Sequence, residues 1–250
     1  MTKLSVNVNK VALLRNQRDL TFPSVVGMGR IALEAGAFGV TVHPRPDQRH
    51  IRRDDVPAVA ALLAEERWAD REFNIEGNPL IEGHLMPLMR AHRPTQATLV
   101  PDSVDQNTSD HGFALDDPAV IAALKPIVAE LKDLGCRVSL FVDPEPEVAR
   151  RAVETGADRV ELYTESWARA FGTDQERALL DAYAATSEAV VAEGLGVNAG
   201  HDLNLHNLGR FLSEVPHVAE VSIGHALVAD ALTMGMAAAV RAYLDVIASV

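Results

Sequence analysis

The sequence is short of the features that mark secreted and membrane proteins. Among its 250 residues is a single cysteine, Cys136. It cannot form an internal disulfide, and it begins an apolar strand-like stretch, so we expect a buried core thiol. No apolar run is long enough to span a bilayer, and residues 1–10 enter a strand pattern without the apolar region of a signal peptide. These absences predict a cytoplasmic protein with no membrane partner.

Basic residues are also scarce relative to acidic ones. The sequence has 23 Lys and Arg and 35 Asp and Glu, so the formal net charge is −12. This balance argues against nucleic-acid binding. The charge is unevenly distributed, since residues 1–53 hold nine Lys and Arg against three Asp and Glu, a local charge of +6. A basic region in an acidic protein predicts a local site for anions such as phosphates. Chance clustering on a solvated face is the alternative.

Eight short apolar stretches recur along the chain, each with the Val, Ile, Leu or Phe content of a strand buried on both faces. Amphipathic helical patterns separate them, and no linker or change of composition indicates a second domain. Eight strands that alternate with helices favour a (β/α)8 TIM barrel of the α/β class, with extra helices, as a single domain over residues 1–250. The predicted strands cover residues 4–9, 39–43, 72–77, 96–101, 137–143, 159–164, 196–201 and 220–225.

In such a barrel the carboxyl ends of the strands form one rim, where the chemistry is carried out. A lone histidine there is more often structural, but several polar side chains at one rim favour a site. Histidine exchanges protons near neutral pH, and burial among apolar side chains raises the pKa of a glutamate. The residues predicted at or beyond these strand ends are Asn7, Asn9, His43, Glu76, Thr108, Asp143, Glu161, Thr164, Asn198, His201 and His225.

Two places near this rim suit phosphate groups. The seventh and eighth strands run into "NAGHD" and "SIGHA", where Gly200 and Gly224 allow a ligand to approach the backbone and the next helix presents free N–H groups. Arg45 and His50 can hold a second phosphate, since a guanidinium binds phosphate oxygens through two parallel hydrogen bonds. Two anion sites beside one acid/base cluster predict two phosphorylated substrates joined in one pocket.

Two further features of the rim have alternative interpretations. The irregular segment 102–116 follows the fourth strand, so we expect a lid over the mouth, with a flexible insertion as the alternative. A metal site is disfavoured, because the sequence has no His-x-His or His-x3-His pair. Its candidate ligands would be His43, Glu76, His201 and His225.

Seven motifs distributed along the whole chain together resemble the pyridoxine 5′-phosphate synthase family, which catalyses the last step of the deoxyxylulose-dependent route to vitamin B6. The motifs are "VNVNKVALLRNQR", "GVTVHPRPDQRHI", "NIEG", "LVPD" followed by "NTSDHG", "RVSLFVD", "VNAGHDL" and "SIGHA". The resemblance implies a transferase that condenses 3-amino-2-oxopropyl phosphate with 1-deoxy-D-xylulose 5-phosphate and releases pyridoxine 5′-phosphate, phosphate and water. It also implies no metal, no organic cofactor and a homo-oligomer, typically an octamer.

The resemblance assigns roles to particular positions. Its three acid/base residues are His43, Glu76 and His201. Its contacts to 1-deoxy-D-xylulose 5-phosphate are Asn9, Lys10, Arg45, His50 and Thr108. Its contacts to 3-amino-2-oxopropyl phosphate are Asn7, Arg18, Gly224 and His225, and the residue after the strand-7 histidine, Asp202, also faces the substrates.

The sequence departs from the commonest family pattern at four positions. Asn9 and Lys10 replace an Asp-His pair, and Asp202 replaces a glycine, which keeps a backbone N–H but brings a carboxylate near a phosphate. Asp230 lies in "ADA" where "GRA" is common, so one positive charge is missing. These departures leave two alternatives open. One is a barrel enzyme of the same family that joins a different sugar phosphate and amine; the other is a non-catalytic protein that binds phosphate ligands.

Overall fold

The computed structural model describes residues 1–18, 20–103, 106 and 109–250. Eight parallel strands follow one another in sequence order around a closed barrel, and the last pairs with the first. The predicted (β/α)8 barrel is therefore confirmed. The strands are β1 (Lys3–Asn7), β2 (Gly39–Val42), β3 (Glu72–Gly77), β4 (Gln96–Leu99), β5 (Arg137–Val142), β6 (Arg159–Leu162), β7 (Gly196–His201) and β8 (Val218–Ile223).

The described residues form eleven α-helices and a 3-10 helix, Glu66–Trp68. Three of the helices, α1, α7 and α11, are additional to one helix per strand. The helices are α1 (Asn9–Arg15), α2 (Val25–Glu34), α3 (Asp55–Leu63), α4 (Leu85–His92), α5 (Pro118–Asp133), α6 (Val148–Thr155), α7 (Glu165–Ala170), α8 (Glu176–Ala192), α9 (Leu208–Glu214), α10 (His225–Met234) and α11 (Met236–Ala248).

Six of the eight strands end one or two residues before their predicted carboxyl ends. The first strand ends at Asn7, and Asn9, which was predicted at its end, is the first residue of α1. The second helix begins after Ser24, whose hydroxyl accepts a hydrogen bond from the Gly27 N–H at 3.0 Å. A side-chain cap of this kind satisfies an N–H group that has no partner within the helix, so it sets the boundary.

The barrel interior is polar, although every strand is buried. Alternate strand residues such as Val6, Val40 and Ile75 belong to the apolar core, whereas the residues between them are hydrophilic. Thr41 Oγ1 lies 2.7 Å from Ser5 Oγ and accepts hydrogen bonds from neighbouring side chains. Apolar and polar side chains therefore alternate along the strands with a period of two. The high apolar content of the strands did not indicate this alternation in the sequence.

A charged layer closes the amino-terminal end of this interior. Arg137 of β5 pairs with Glu72 of β3 and with Glu220 of β8, and Arg159 of β6 also contacts Glu220. Burial, together with the charge of Glu72, raises the pKa of Glu220 to about 8. The Glu220 carboxyl therefore keeps its proton at neutral pH, which limits the cost of burying it beside Glu72.

The structure also bears on the predictions for Cys136 and for membrane-spanning helices. Cys136 is buried, as expected for a core thiol, and burial raises its pKa to about 11. Within the described ranges, no helix combines the length and the apolar character that a membrane crossing needs.

Candidate active site

A cavity of about 280 Å³ opens at the carboxyl ends of the strands. It brings together the predicted acid/base and substrate-contact residues, apart from Arg18, which is exposed and does not line it, and Thr108, which lies outside the described residues. The roles predicted for those two stay predictions. Of the other residues predicted at the rim, Asp143, Thr164 and Asn198 do not line the cavity. The cavity is lined by Asn7, Asn9, Lys10, His43, Arg45, His50, Glu76, Val100, Ser109, Phe141, Glu161, His201, Asp202, Ser222, Gly224 and His225.

Two asparagines hold the His43 and Glu76 side chains at the centre of this cavity. Glu76 Oε2 accepts a hydrogen bond from Asn7 Nδ2 at 3.2 Å and lies 3.8 Å from His43 Nδ1. Asn7 Oδ1 accepts from the backbone N–H of Asn9, whose own Oδ1 accepts from the backbone N–H of His43 at 2.8 Å. Asn9 therefore anchors the end of β2 through a neutral hydrogen bond.

Burial shifts the pKa values of this pair in opposite directions. It raises the pKa of Glu76 to about 7, where the nearby charge of Asp102 also acts. Burial lowers the pKa of His43 well below its usual range, and the positive charge of Arg45 lowers it further. Glu76 consequently exchanges a proton at neutral pH, and His43 is a neutral imidazole that can accept one.

His201, at the end of β7, has different surroundings. Its Nδ1 lies 2.7 Å from Asp202 Oδ2, and its ring contacts those of Phe141 and Tyr163 at centroid distances of 6.4 and 5.9 Å. Burial by itself lowers the pKa of His201, but the hydrogen bond to Asp202 and its charge outweigh that effect, so the pKa is raised. His201 is thus suited to donate a proton.

A second buried glutamate lies in the cavity. Burial, followed by the charge of Glu76, raises the pKa of Glu161 well above its usual range, which favours the protonated carboxyl. Its Oε2 has no hydrogen-bond partner among the described residues. The sequence placed Glu161 at the rim but assigned it no role, although the same strand-end pattern that identified Glu76 applied to it.

Three basic side chains lie along one side of the cavity. Burial and the charge of Arg45 lower the pKa of Lys10, and burial with the same charge lowers the pKa of His50 to about 4. His50 Nδ1 accepts the backbone N–H of Ile51 at 2.9 Å, so its proton is on Nε2. A bound anion would offset the mutual repulsion of Lys10 and Arg45, and the anion site predicted on this side stays a prediction.

Arg45 also has a structural role that the sequence did not indicate. Its guanidinium pairs with the buried carboxylate of Asp102 and donates to the backbone oxygens of Gln106 and Ser103 at 3.0 and 3.4 Å. Asp102 in turn accepts from Ser109 Oγ at 2.8 Å. Arg45 therefore holds the described part of segment 102–116 against β2, and its contact with a phosphate stays a prediction.

The two glycines near the predicted phosphate site have packing roles. A Cβ on Gly200 would lie 2.1 Å from the backbone oxygen of Ser222, so β8 is the neighbour that requires glycine, not a ligand as the sequence suggested. A Cβ on Gly224 would lie 3.1 Å from Asn7 Cβ. Gly224 immediately precedes α10, whose first residue is His225, so free N–H groups of this helix are near the cavity.

The departure at Asp230 has a structural explanation. Its Oδ2 accepts a hydrogen bond from the Tyr243 hydroxyl at 2.8 Å, which joins α10 to α11. Asp230 is not among the residues that line the cavity. The missing positive charge is therefore replaced by a contact between two helices.

We expect Tyr243→Phe to lower the free energy of unfolding by about 1.5 kcal/mol, since the Asp230 carboxylate loses the hydrogen bond that the Tyr243 hydroxyl donates. Turnover should stay at the wild-type level because Tyr243 lies outside the cavity. Urea unfolding and steady-state kinetics measure the two effects. A large fall in turnover at unchanged stability would contradict this interpretation of Asp230.

No three His, Cys, Asp or Glu side chains of the described residues are grouped so that they could hold a metal ion. The site instead combines proton-transferring groups with a basic side suited to phosphates. A closed barrel with this cluster at its carboxyl end is the arrangement of a (β/α)8-barrel enzyme that acts on small anionic molecules. The chain belongs to the family described as pyridoxal phosphate biosynthesis protein PdxJ, whose model matches residues 4–249.

Curated relatives cover nearly the whole chain. A protein of Albidiferax ferrireducens named pyridoxine 5′-phosphate synthase is 53% identical over 253 residues, which cover 99% of this chain and 98% of the relative. A protein of the same name from Xanthomonas campestris pv. campestris is 54% identical, with 99% and 96% covered.

Solved structures of much lower identity share the fold. Phosphoribosyl anthranilate isomerase from Thermotoga maritima has a TM-score of 0.60 at 11% identity, and the match covers 100% of both chains. KGPDC from Streptococcus mutans has a TM-score of 0.65 at 12% identity, with 100% of this chain and 98% of that chain covered. At these identities the likeness shows the barrel architecture alone.

Proposed function

We propose that this chain is a pyridoxine 5′-phosphate synthase of the transferase class. It condenses 3-amino-2-oxopropyl phosphate with 1-deoxy-D-xylulose 5-phosphate and closes the ring, with release of pyridoxine 5′-phosphate, phosphate and water. The observation that supports this best is that one cavity holds Glu76 with a raised pKa, His43 with a lowered pKa and a side of basic residues. The chain that carries this cavity is 53% identical to a protein of that name. Such a reaction needs repeated proton transfers between two substrates that are held by their phosphates.

Glu76 and His43 shuttle protons at the carbon centres that condense. Their separation of 3.8 Å places a neutral imidazole beside a carboxyl with a pKa of about 7, so a proton can pass between the two groups by way of the substrate. His201 protonates a leaving oxygen or the departing phosphate. Each positioned acid or base contributes on the order of 10²–10⁴-fold to the step that it assists.

The basic side holds the phosphate of 1-deoxy-D-xylulose 5-phosphate. Lys10 and the Nε2–H of His50 supply donors there, Arg45 adds its charge, and Thr108 completes the predicted set. Asn7, Gly224 and His225, together with Arg18, hold 3-amino-2-oxopropyl phosphate. Binding energy from the two phosphates then orients the reacting carbons, and segment 102–116 closes over them to exclude water.

The protein acts in the cytoplasm as a homo-oligomer, an octamer by family resemblance. Phe22 and Leu232 are 70% and 73% exposed, and large apolar side chains of this kind are candidates for the interface between subunits. Light scattering on the purified protein measures the assembly.

Incubation of the purified protein with both substrates tests the proposed activity. We expect pyridoxine 5′-phosphate, identified by absorbance and by mass, together with one released phosphate for each product formed. Omission of either substrate should abolish both signals. Binding of both phosphates without turnover would support a non-catalytic protein, and turnover with a different amine or sugar phosphate alone would assign another reaction of the same family.

A further inference from the structure

We infer that Asp202 is a positioning residue for His201: its carboxylate fixes the imidazole with the proton on Nδ1 and favours the charged ring, so that His201 delivers protons through Nε2. The inference deepens the proposed function, in which His201 is the proton donor. It assigns Asp202 a role through its side chain, distinct from a contact with substrate.

The contact requires an unusual backbone. Neighbouring side chains in an extended strand point to opposite faces, so they do not meet. His201 has φ of 40°, in the left-handed region, where residues other than Gly are uncommon and Asn, Asp and His are the most frequent of them. The chain leaves strand geometry at this residue, and Asp202 Oδ2 comes within 2.7 Å of the preceding imidazole.

A buried threonine holds this turn in place. Thr164 Oγ1 donates to the Gly200 backbone oxygen at 2.5 Å and accepts the Asp202 N–H at 3.3 Å. Asn207 Nδ2 also donates to the Asp202 backbone oxygen at 3.4 Å. Backbone conformations of this kind cost about 1–3 kcal/mol and persist where the surroundings impose them, often at functional sites. The turn is thus held in the conformation that pairs the two side chains.

The chemistry of the pair determines the tautomer. An ionised carboxylate only accepts hydrogen bonds, so Nδ1 carries a proton in both the neutral and the charged imidazole. Nε2 is consequently the nitrogen that gains and loses the exchanging proton. The rings of Phe141 and Tyr163 restrict rotation of the imidazole about this hydrogen bond.

Three acidic side chains near His201 shift its pKa in the same direction. Asp202, Glu76 of β3 and Asp102 after β4 each favour the imidazolium and raise the pKa of His201 against the effect of burial. His43 of β2 is neutral because its own pKa is lowered well below neutrality. Tyr163, which follows β6, is uncharged because burial raises its pKa. Asp202 is the nearest of the three carboxylates and the one that contacts Nδ1 directly.

Two substitutions separate the charge of Asp202 from its hydrogen bond. In Asp202→Asn, the amide oxygen still accepts Nδ1–H but the charge is gone, so we expect the pKa of His201 to fall by about 1 unit while the tautomer is retained. In Asp202→Ala both are lost, and the neutral ring should populate the Nε2–H tautomer. Histidine ¹³C and ¹⁵N NMR of the ligand-free protein, with His201→Asn to assign the signal, reports both quantities.

Kinetics test whether this positioning matters for the reaction. A proton donor is active while protonated, so its loss of activity follows its pKa as the pH rises. We expect the alkaline limb of the kcat/KM profile of Asp202→Asn to move down by the same 1 unit, with up to about a tenfold loss above that limb and little change below it. Asp202→Ala should lose activity on both sides. Asp70→Asn, which removes a carboxylate that is 76% exposed, is the matched control and should change neither profile.

Two results would overturn the inference. One is an unchanged His201 titration in Asp202→Asn, and the other is a shifted titration with an unchanged kcat/KM profile. Failure of the proposed function gives a different pattern, because the NMR titration needs no substrate and the absence of turnover would affect wild type and variants alike.

Discussion

The Glu76→Gln variant is expected to make pyridoxine 5′-phosphate about 10²–10⁴-fold more slowly than the wild-type protein. Glutamine keeps the shape of the side chain and can still accept the hydrogen bond from Asn7 Nδ2, but it cannot exchange a proton. The loss should fall mainly on kcat, because the phosphates are held by other residues. Steady-state kinetics with both substrates give kcat and the two KM values.

Stability measurements distinguish this effect from misfolding. The folded-state pKa of Glu76, about 7, is above its ordinary value of 4.5. The carboxyl therefore contributes stability that is fully present below about pH 4.5 and is lost as the pH rises through about 7. Glutamine does not ionise, so the variant should be at least as stable as wild type above pH 7. Glu130→Gln, on the exposed surface of α5, should leave kcat unchanged. Near-normal turnover in folded Glu76→Gln would rule out its assigned role.

The second large effect is expected from Gly200→Ala, which should destabilise the protein by about 3 kcal/mol or more and abolish most turnover. The added methyl group would lie 2.1 Å from the Ser222 oxygen and 3.0 Å from its nitrogen. These are backbone atoms of β8, so the conflict cannot be relieved by rotation of a side chain. β7 and β8 must separate, which displaces His201 from the cavity. Thermal unfolding and kinetics measure the two consequences.

Gly29→Ala is the matched control. Gly29 lies in α2, and the nearest atom to its added Cβ would be a methyl group of Leu62 at 3.5 Å, an ordinary contact. Because alanine favours a helix over glycine by about 0.8–1.0 kcal/mol, this variant should be as stable as wild type or more so. If Gly200→Ala behaved like Gly29→Ala, the close packing of β7 on β8 would not be what requires glycine.

Much of the architecture followed from local pattern. The eight strands and their order were predicted, and each carboxyl end differed from its predicted position by no more than two residues. The positions of His43, Glu76 and His201 at the rim followed from the predicted strands, because parallel strands place their carboxyl ends together. What the pattern could not supply was the pairing of side chains distant in sequence. Arg45 pairs with Asp102, 57 positions away, and nothing local in either motif indicates this contact.

The departures from the family pattern show the same limit. From sequence, Asn9 and Asp202 placed the substrate contacts in doubt, because each changed a charge near a phosphate. In the structure, Asn9 holds the His43 backbone and Asp202 holds the His201 imidazole. Their neighbours in space decide what these residues do, and those neighbours belong to other strands.

In this barrel, the residues that stabilise the fold and the polar residues of the interior lie at different positions of each strand. The large apolar side chains that stabilise the fold lie between the strands and the surrounding helices, on the outward positions of each strand. The inward positions above the charged layer carry small polar groups such as Ser5, Thr41 and Ser222, whose exchange removes little apolar area. An inward substitution such as a change of Thr41 therefore acts through the buried hydrogen bonds to Ser5 and Ser222, and it leaves the packing of the helical shell unchanged.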